Sequence, residues 1–343
     1  LGNDSSPTDV EDSSEADDPE APILPPPDGV LLVRPLAPNE VRPTQDGLSW
    51  ATAFSDLSEA IASTTGAIHE LWLAQGIYHP PLPSPPPAPV PNGWSPNPHE
   101  SSFILEPPLI IRGGFAGFES VATEASPELH PTVLSCDLNE DDDGSSFSRS
   151  DNCRTVVLAG SAGTITEGSV ALDGLAVDGG YTNLNSDLDT RGGGIKIRAG
   201  IAMELSHIVV RNNQAHEGGG LYSTSTSLLV SDSRFESNAA ILGGAVALRS
   251  GNGQFVDTSF ESNAAMHSVA LNRYGEGGAV FVASAGNSPQ FNRCSFTSNR
   301  SDRDGGAVAS AMGPINIAGS QFQGNESARS GGAVSIHLET DMI

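Results

Sequence analysis

Positive charge is scarce in this 343-residue chain. Sixteen Lys and Arg stand against 42 Asp and Glu, for a formal net charge of −26, and Lys196 is the only lysine. Such a field repels nucleic acid and anionic membrane surfaces, which sets those partners aside, and it attracts cations, calcium above all. Long apolar runs are missing as well. None approaches the roughly 18–20 residues that cross a bilayer, so no membrane insertion of this segment is expected. No serine or cysteine nucleophile motif occurs, and one lysine counts against lysine-based chemistry. Convincing helix signals are confined to "SDLSEAIAST" (55–64), where Leu57, Ala60 and Ile61 share a helical face and Ser55 is a plausible N-cap.

What is present is repetition. "GGGIKIRA" (192–199), "GGGLYSTS" (218–225), "GGAVALRS" (243–250), "GGAVFVAS" (277–284), "GGAVASAM" (305–312) and "GGAVSIHL" (331–338) start 26, 25, 34, 28 and 26 residues apart. A period in this range signals a solenoid. Between the glycine phrases lies a second mark: Phe235, Phe260, Phe296 and Phe322, with Ile208 taken as their first-coil counterpart. Two positions earlier stand small residues (Ser206, Ser233, Thr258, Cys294, Ser320), and five earlier apolar ones (Met203, Val230, Phe255, Phe291, Ile317). Three positions later come Asn238, Asn263, Asn299 and Asn325; the first coil departs, with Arg211 there and Asn212 next to it.

Strand side chains alternate, so marks at 0 and −2 share a face and the mark at −5 has the wrong parity. A corner must separate them. The glycine phrase supplies a third strand, with Ile195 and Ile197, Val246 and Leu248, Val280 and Val282, and Val334 and Ile336 inward. Three short strands per coil predict an all-β, right-handed parallel β-helix, in which the recurring Asn bonds to its counterpart one coil away and satisfies turn backbone. Leucine-rich repeats lack support because their leucine consensus is absent. The nine-residue calcium roll lacks its period, and helical repeats would carry glycines at about 1 kcal/mol each.

Upstream, residues 1–28 hold nine acidic residues, no basic ones and many Ser and Pro, which predicts a disordered tether. Structure is expected from "GVLLVRP" (29–35), with "ELWLAQGIY" (70–78) as a strand and ten prolines over 80–98 forming a stiff excursion outside the sheets. The expected organisation is a tether (1–28) and one β-helix (29–343): irregular coils over 29–180, then regular coils over 181–343 that continue beyond the C-terminus.

The glycine and Phe-x-x-Asn phrases resemble the repeats of chlamydial polymorphic outer membrane proteins and related bacterial surface proteins. "DGLSWATAFSDLSEAI", "ELWLAQGIYHP" and "RGGFAGFES" look like the N-terminal part of large secreted bacterial β-helix proteins with a pectate-lyase-like fold. The likeness spans about residues 29–340. It implies extracellular or outer-membrane-surface placement and makes the helix an N-terminal cap against edge pairing. For activity it implies little, since that fold hosts lyases, hydrolases and adhesins. The acidic 1–28 segment resembles the tether after the lipidated cysteine of bacterial lipoproteins, which implies a lipid anchor upstream of residue 1.

Two segments could carry chemistry. "DLNEDDDG" (137–144) spaces Asp137, Asn139, Asp141 and Asp143 alternately, with Asp151 able to return as a further ligand. Alternate oxygens in a flexible loop suit calcium, although Asp142 and Ser148 break the EF-hand pattern. The alternative is a solvated acidic loop. Cys136 and Cys153 flank it; a disulfide there would be worth about 3 kcal/mol on the loop-entropy model, the alternative being two free buried thiols. The second segment is the long coil, whose excess lies in "MHSVALNRYGE" (266–276) and offers His267, Arg273, Tyr274 and Glu276. An Arg and a Tyr could hold a sugar, or with His267 serve as a lyase base; the alternative is a tolerated decoration. Cys294 reads as an inert buried thiol. His216 and His337 have no second ligand at metal spacing, and Asp173, Asp178, Asp232 and Asp257 form no regular column.

The function expected is a non-enzymatic, surface-held stalk presenting loops for adhesion to a host or neighbour cell surface, or for polysaccharide contact. A polysaccharide lyase or glycoside hydrolase working in a flank groove is the alternative. A fibre subunit extended by end-to-end self-association is the third reading.

Overall fold

The computed structural model describes residues 25–85, 95–143, 149–160, 167–186, 190–283 and 288–337. The acidic segment before residue 25, the centre of the proline-rich insertion and the stretch after 337 lie outside the described residues. The chain winds as a parallel β-helix with one short α-helix. One nine-stranded sheet and two eight-stranded sheets run its length, and every strand pairs in parallel with its equivalent one coil away. Among the described residues, no helix is long and apolar enough to cross a membrane.

In one regular coil, Val246–Leu248 belongs to the glycine sheet, Asn252–Val256 to the nine-stranded sheet and Ser259–Glu261 to the phenylalanine sheet. A fourth element, not expected from the columns, is a four-stranded sheet of two-residue strands: Ala239–Ala240, Ala264–Ala265, Arg300–Ser301 and Glu326–Ser327. Two residues are too few to leave an alternating signature in the sequence.

The predicted corner lies between the −5 and 0 marks. Asp232, Asp257 and Arg293 sit there with φ of 48°, 48° and 54°, the left-handed region that reverses side-chain parity. The small column completes the corner. Ser233 Oγ donates to the carbonyl of Ser231 at 2.6 Å and Thr258 Oγ1 to that of Val256 at 2.9 Å. Cys294 fills the same position, buried, with its thiol pushed up in pKa by desolvation.

The first coil is read two residues out of register in the sequence. Phe235 pairs with Val210, not Ile208, and Val230 with Leu205, not Met203. A shift of two preserves side-chain parity, so apolar residues fill both registers and the pattern alone does not separate them. Correcting it puts Asn213 in the asparagine column, which then has no exception.

That column is a continuous ladder. Asn238 Nδ2 donates to Asn263 Oδ1 at 3.1 Å, and Asn263 Nδ2 to Asn299 Oδ1 at 3.0 Å. Each Oδ1 also accepts the backbone N–H of the preceding Asn, and each Nδ2 donates to a strand carbonyl, as Asn263 does to Phe235 at 2.9 Å. Both amide hydrogens and the oxygen are thus used inside the core, which removes the penalty of burying them. Beside the ladder, the Phe rings stack: Phe235 on Phe260 at 5.3 Å, Phe260 on Phe296 at 4.7 Å, and Phe296 on Phe322 at 4.7 Å. Phe322, on the last described coil, is only partly buried.

The glycine phrase has two separate causes. Its first Gly is left-handed, with φ of 65° at Gly243 and 68° at Gly277. Its second has no room: a Cβ on Gly278 would lie 2.0 Å from the carbonyl oxygen of Gly306.

At the N-terminal end, the helix Leu57–Ala62 packs Leu57 and Ala60 onto the core beside the edge strand Val30–Val33. Its N-cap is Asp56, whose carboxylate accepts from Ser58 N at 2.6 Å, rather than Ser55, whose hydroxyl is spent on Gln45. The free edge of that strand is satisfied by residues 47–54, through Leu32 N to Gly47 O and Phe54 N to Leu32 O, both 2.9 Å.

Phe296→Ala is expected to cost about 3–5 kcal/mol, the usual loss for a buried ring that leaves a cavity. Asn263→Ala should cost about 3 kcal/mol by stranding donors and acceptors on two neighbouring coils. Urea unfolding of both variants measures this, and a loss under ~1 kcal/mol in either would contradict the stacked core.

Candidate functional site

The 266–276 insertion does not hang free. Its Met266 and Leu271 pack on a satellite core outside the solenoid, made by Leu184, Ile241, Leu242, Phe281 and Ala309. Phe281 and Ala309 come from the outward positions of glycine-sheet strands, which explains why those strands are apolar on both faces. Ser268 is buried and donates to the carbonyl of Leu184 at 2.7 Å, and Val269 N donates to Asn185 Oδ1 at 3.1 Å. His216 bonds to Leu184 and to Thr190. Its Nδ1 accepts from Thr190 N at 3.1 Å, so Nε2 carries the proton and donates to Leu184 O at 3.3 Å.

The four residues singled out in this insertion have different fates. His267 and Tyr274 stack ring on ring at 4.4 Å, leaving Tyr274 52% exposed. Glu276 pairs with Arg303 at 3.0 Å, which makes it part of a charged column on the solenoid rather than a free ligand contact. Arg273 turns toward Glu217, its Nη2 3.7 Å from Oε1.

Glu217 is the residue that organises the site, and sequence reasoning missed it. Its side chain is 3% exposed, and burying a carboxylate demands a cation. Arg249 supplies it with a two-pronged contact: Nε to Oε2 at 2.7 Å, and Nη2 to Oε1. Arg191 Nε stands 3.8 Å from Oε2. The guanidinium of Arg191 lies over the Tyr222 ring and that of Arg249 over the Phe281 ring, at 5.6 and 5.8 Å from the centroids. Such contacts attract a guanidinium to an aromatic face.

A sequence signal existed for this arrangement. The residue before the first Gly of each phrase forms a bridged column: Arg191, Glu217, Leu242, Glu276, Asp304 and Ser330. Asp304 in that column is fully buried and bonded by Arg329, with Arg303 at 3.5 Å. Charges recurring at one buried column position mark a paired column.

The acidic loop converges in part. Cys136 and Cys153 are bridged, with Cα atoms 5.0 Å apart. Asp137, Asp141 and Asp151 each bring one oxygen within 4.8 Å of the others, and Asp143 stands outside this trio. Asp137 also accepts from Asp141 N and Asp142 N, both at 3.1 Å, and Asp151 from Asn139 N at 2.9 Å. Desolvation, then repulsion from Asp151, Asp137 and Asp143, raises the pKa of Asp141 above the ordinary aspartate value.

A third feature is a groove of about 750 Å³ on the phenylalanine-sheet flank, walled by Pro127 and Glu128 and lined by His207, Asp232, Arg234 and Asp257. Asp232 and Asp257 are not scattered. Both sit at the corner of successive coils, next to the paired residues Ser231 and Val256. Arg293 pairs with Asp257 at 2.5 Å, and His207 Nδ1 lies 2.9 Å from Asp173. Comparisons with family models, curated proteins and solved structures gave no match, so the reading of these sites rests on their geometry.

Arg249→Ala removes the only guanidinium hydrogen-bonded to Glu217 among the described residues. It is expected to destabilise the protein by about 2–3 kcal/mol, less than a fully buried pair because the arginine is partly solvated. Thermal and urea unfolding measure it. An unchanged midpoint would show that Glu217 needs no such partner.

Proposed function

We propose that the protein is an extracellular, surface-held β-helix stalk whose loops make carbohydrate contact without catalysis. The observation that carries this reading is the 266–276 insertion. It is anchored on its own apolar core yet presents Tyr274, 52% exposed, and Val269, 75% exposed, on the same segment as Arg273, which reaches Glu217. Binding residues on a rigid scaffold need such support, and an exposed aromatic ring offers the flat face that pyranose rings stack on. The disulfide agrees with an oxidising compartment. The repeat phrases that resemble polymorphic outer membrane proteins point the same way.

The flank groove favours a second reading, a polysaccharide lyase or hydrolase acting there. A lyase base must reach its proton within about 3 Å, and the groove offers His207, already held by Asp173. A panel of neutral and acidic polysaccharides decides between the two, followed both by binding and by absorbance of unsaturated product. The expected outcome is glycan binding that falls at least about fivefold in Tyr274→Ala, with no product formed. Product that disappears in His207→Ala would replace the stalk with the enzyme, and binding to no glycan would end the carbohydrate reading.

We further propose calcium for the trio Asp137, Asp141 and Asp151, since three converging carboxylates repel one another until a cation enters. The raised pKa of Asp141 sets the sign. Without metal, the protonated form is favoured on folding, so this stabilisation is present at low pH and is lost as pH rises through the raised pKa. Calcium must displace that proton, so the calcium-induced rise in melting temperature should be full at neutral pH and fade as pH falls through the same value. Melting curves with calcium or chelator across pH 4–7.5 (about the carboxylate-to-neutral range) test it. No calcium-dependent shift at neutral pH returns the loop to a solvated acidic turn.

A further inference from the structure

The Glu217 carboxylate carries one negative charge, and Arg249 and Arg273 bring two positive ones to it. Arg249 meets both Glu217 oxygens, through Nε and Nη2, in a bidentate contact. Arg273 stands at 3.7 Å, inside ion-pair range but beyond hydrogen-bond range, and Glu217 is its only ion-pair partner among the described residues. Its side chain is 39% exposed and that of Arg249 is 32% exposed, so neither is closed off from solvent. Holding a long side chain beside two like charges costs entropy and repulsion that a second cation at an already paired carboxylate does not recover. In a chain of net charge −26, Arg249 and Arg273 both stand within 4 Å of the one Glu217 side chain.

We infer that Arg249 and Arg273 form a subsite for the carboxylate or sulfate group of an acidic glycan. This deepens the carbohydrate reading and rests on it. Glu217 orients Arg249 through Nε and Nη2, and Phe281 supports the guanidinium at 5.8 Å, which leaves Nη1 and the Arg273 fork to grip an oxyanion. The exposed Tyr274 ring belongs to the same insertion as Arg273 and would face the sugar ring that carries the anion. The acidic surroundings confine the attraction to short range, within about 8–10 Å at physiological salt. Affinity should therefore depend on the group seated in the cluster rather than on the total charge of the chain that bears it.

Calorimetric titration with oligosaccharides of polygalacturonate (carboxylate), of heparin (sulfate and carboxylate) and of dextran (uncharged) tests this. Chelator is present throughout so that calcium cannot bridge the ligand to the acidic loop. Wild type is expected to bind an acidic oligosaccharide at least tenfold more tightly than dextran, and the tighter of the two acids names the anion. Arg273→Gln should lose about tenfold for the acid and nothing for dextran, with Arg273→Lys between, since lysine keeps the charge but not the fork. Glu217→Gln keeps an amide oxygen to orient Arg249 while removing the competing negative charge, so it should tighten acid binding by about 3–10-fold. Unchanged acid binding in Arg273→Gln, or weaker acid binding in a folded Glu217→Gln protein, would overturn the inference. If Glu217→Gln does not fold, the Arg273 variants decide alone. Equal binding of dextran and the acids overturns the subsite but leaves the carbohydrate reading standing; binding of no glycan removes both.

Discussion

Every strand of this molecule hydrogen-bonds to its own equivalent one coil away, at the ~4.8 Å spacing of paired strands. Any residue placed at a position must therefore tolerate a near copy of itself directly above and below. Flat rings satisfy this by stacking, as Phe260 does between Phe235 and Phe296. Primary amides satisfy it by donating upward and accepting from below, as Asn263 does between Asn238 and Asn299. Where the path folds most tightly only hydrogen fits, and the second glycine of every phrase with a described coil stacked on it, Gly193 to Gly306, follows from that. Charges fail the same requirement unless counterions intervene.

That failure connects the fold to its candidate site. The column before the first glycine carries Glu217, Glu276 and Asp304, and each is met by arginines drawn from other positions. A chain with few cations spends several of them here. The outer face above this column is also where the long coil sends its insertion, because Phe281 and Ala309 give it an apolar floor. Rigid backbone, buried carboxylate and anchored loop thus meet on one flank. The groove on the phenylalanine-sheet flank is built differently, from corner residues whose charges are mostly spent on one another.

Much of this was legible in the chain. The solenoid, its inward columns, the corner and the asparagine ladder follow from spacing and residue type, because stacking converts structure into a repeat, whereas the Cys136–Cys153 bridge stood in the sequence beside the alternative of two free thiols. What the repeat blurred was register in the first coil. Val210 and Ile208 are both apolar and of equal parity, so the true alignment shows only through Asn213. The two-residue fourth sheet left no pattern, and Asp56 displaced Ser55 as N-cap because Gln45, distant in sequence, claimed the serine hydroxyl.

The candidate site divides the same way. The sequence by itself determined that residues 266–276 are an insertion on a rigid solenoid and that His267, Arg273, Tyr274 and Glu276 are its candidate members, since excess length and residue type are local facts. Only the tertiary structure decided that Arg273 meets Arg249 and Arg191 at Glu217, residues 24 to 82 positions away along the chain. It also decided that Glu276 is held by Arg303 and that Asp143 stands outside the trio of Asp137, Asp141 and Asp151. The physical reason is that pairing of charges depends on which coils lie side by side and on how deeply each carboxylate is buried. Neither quantity is written in the spacing of the residues that carry the charge.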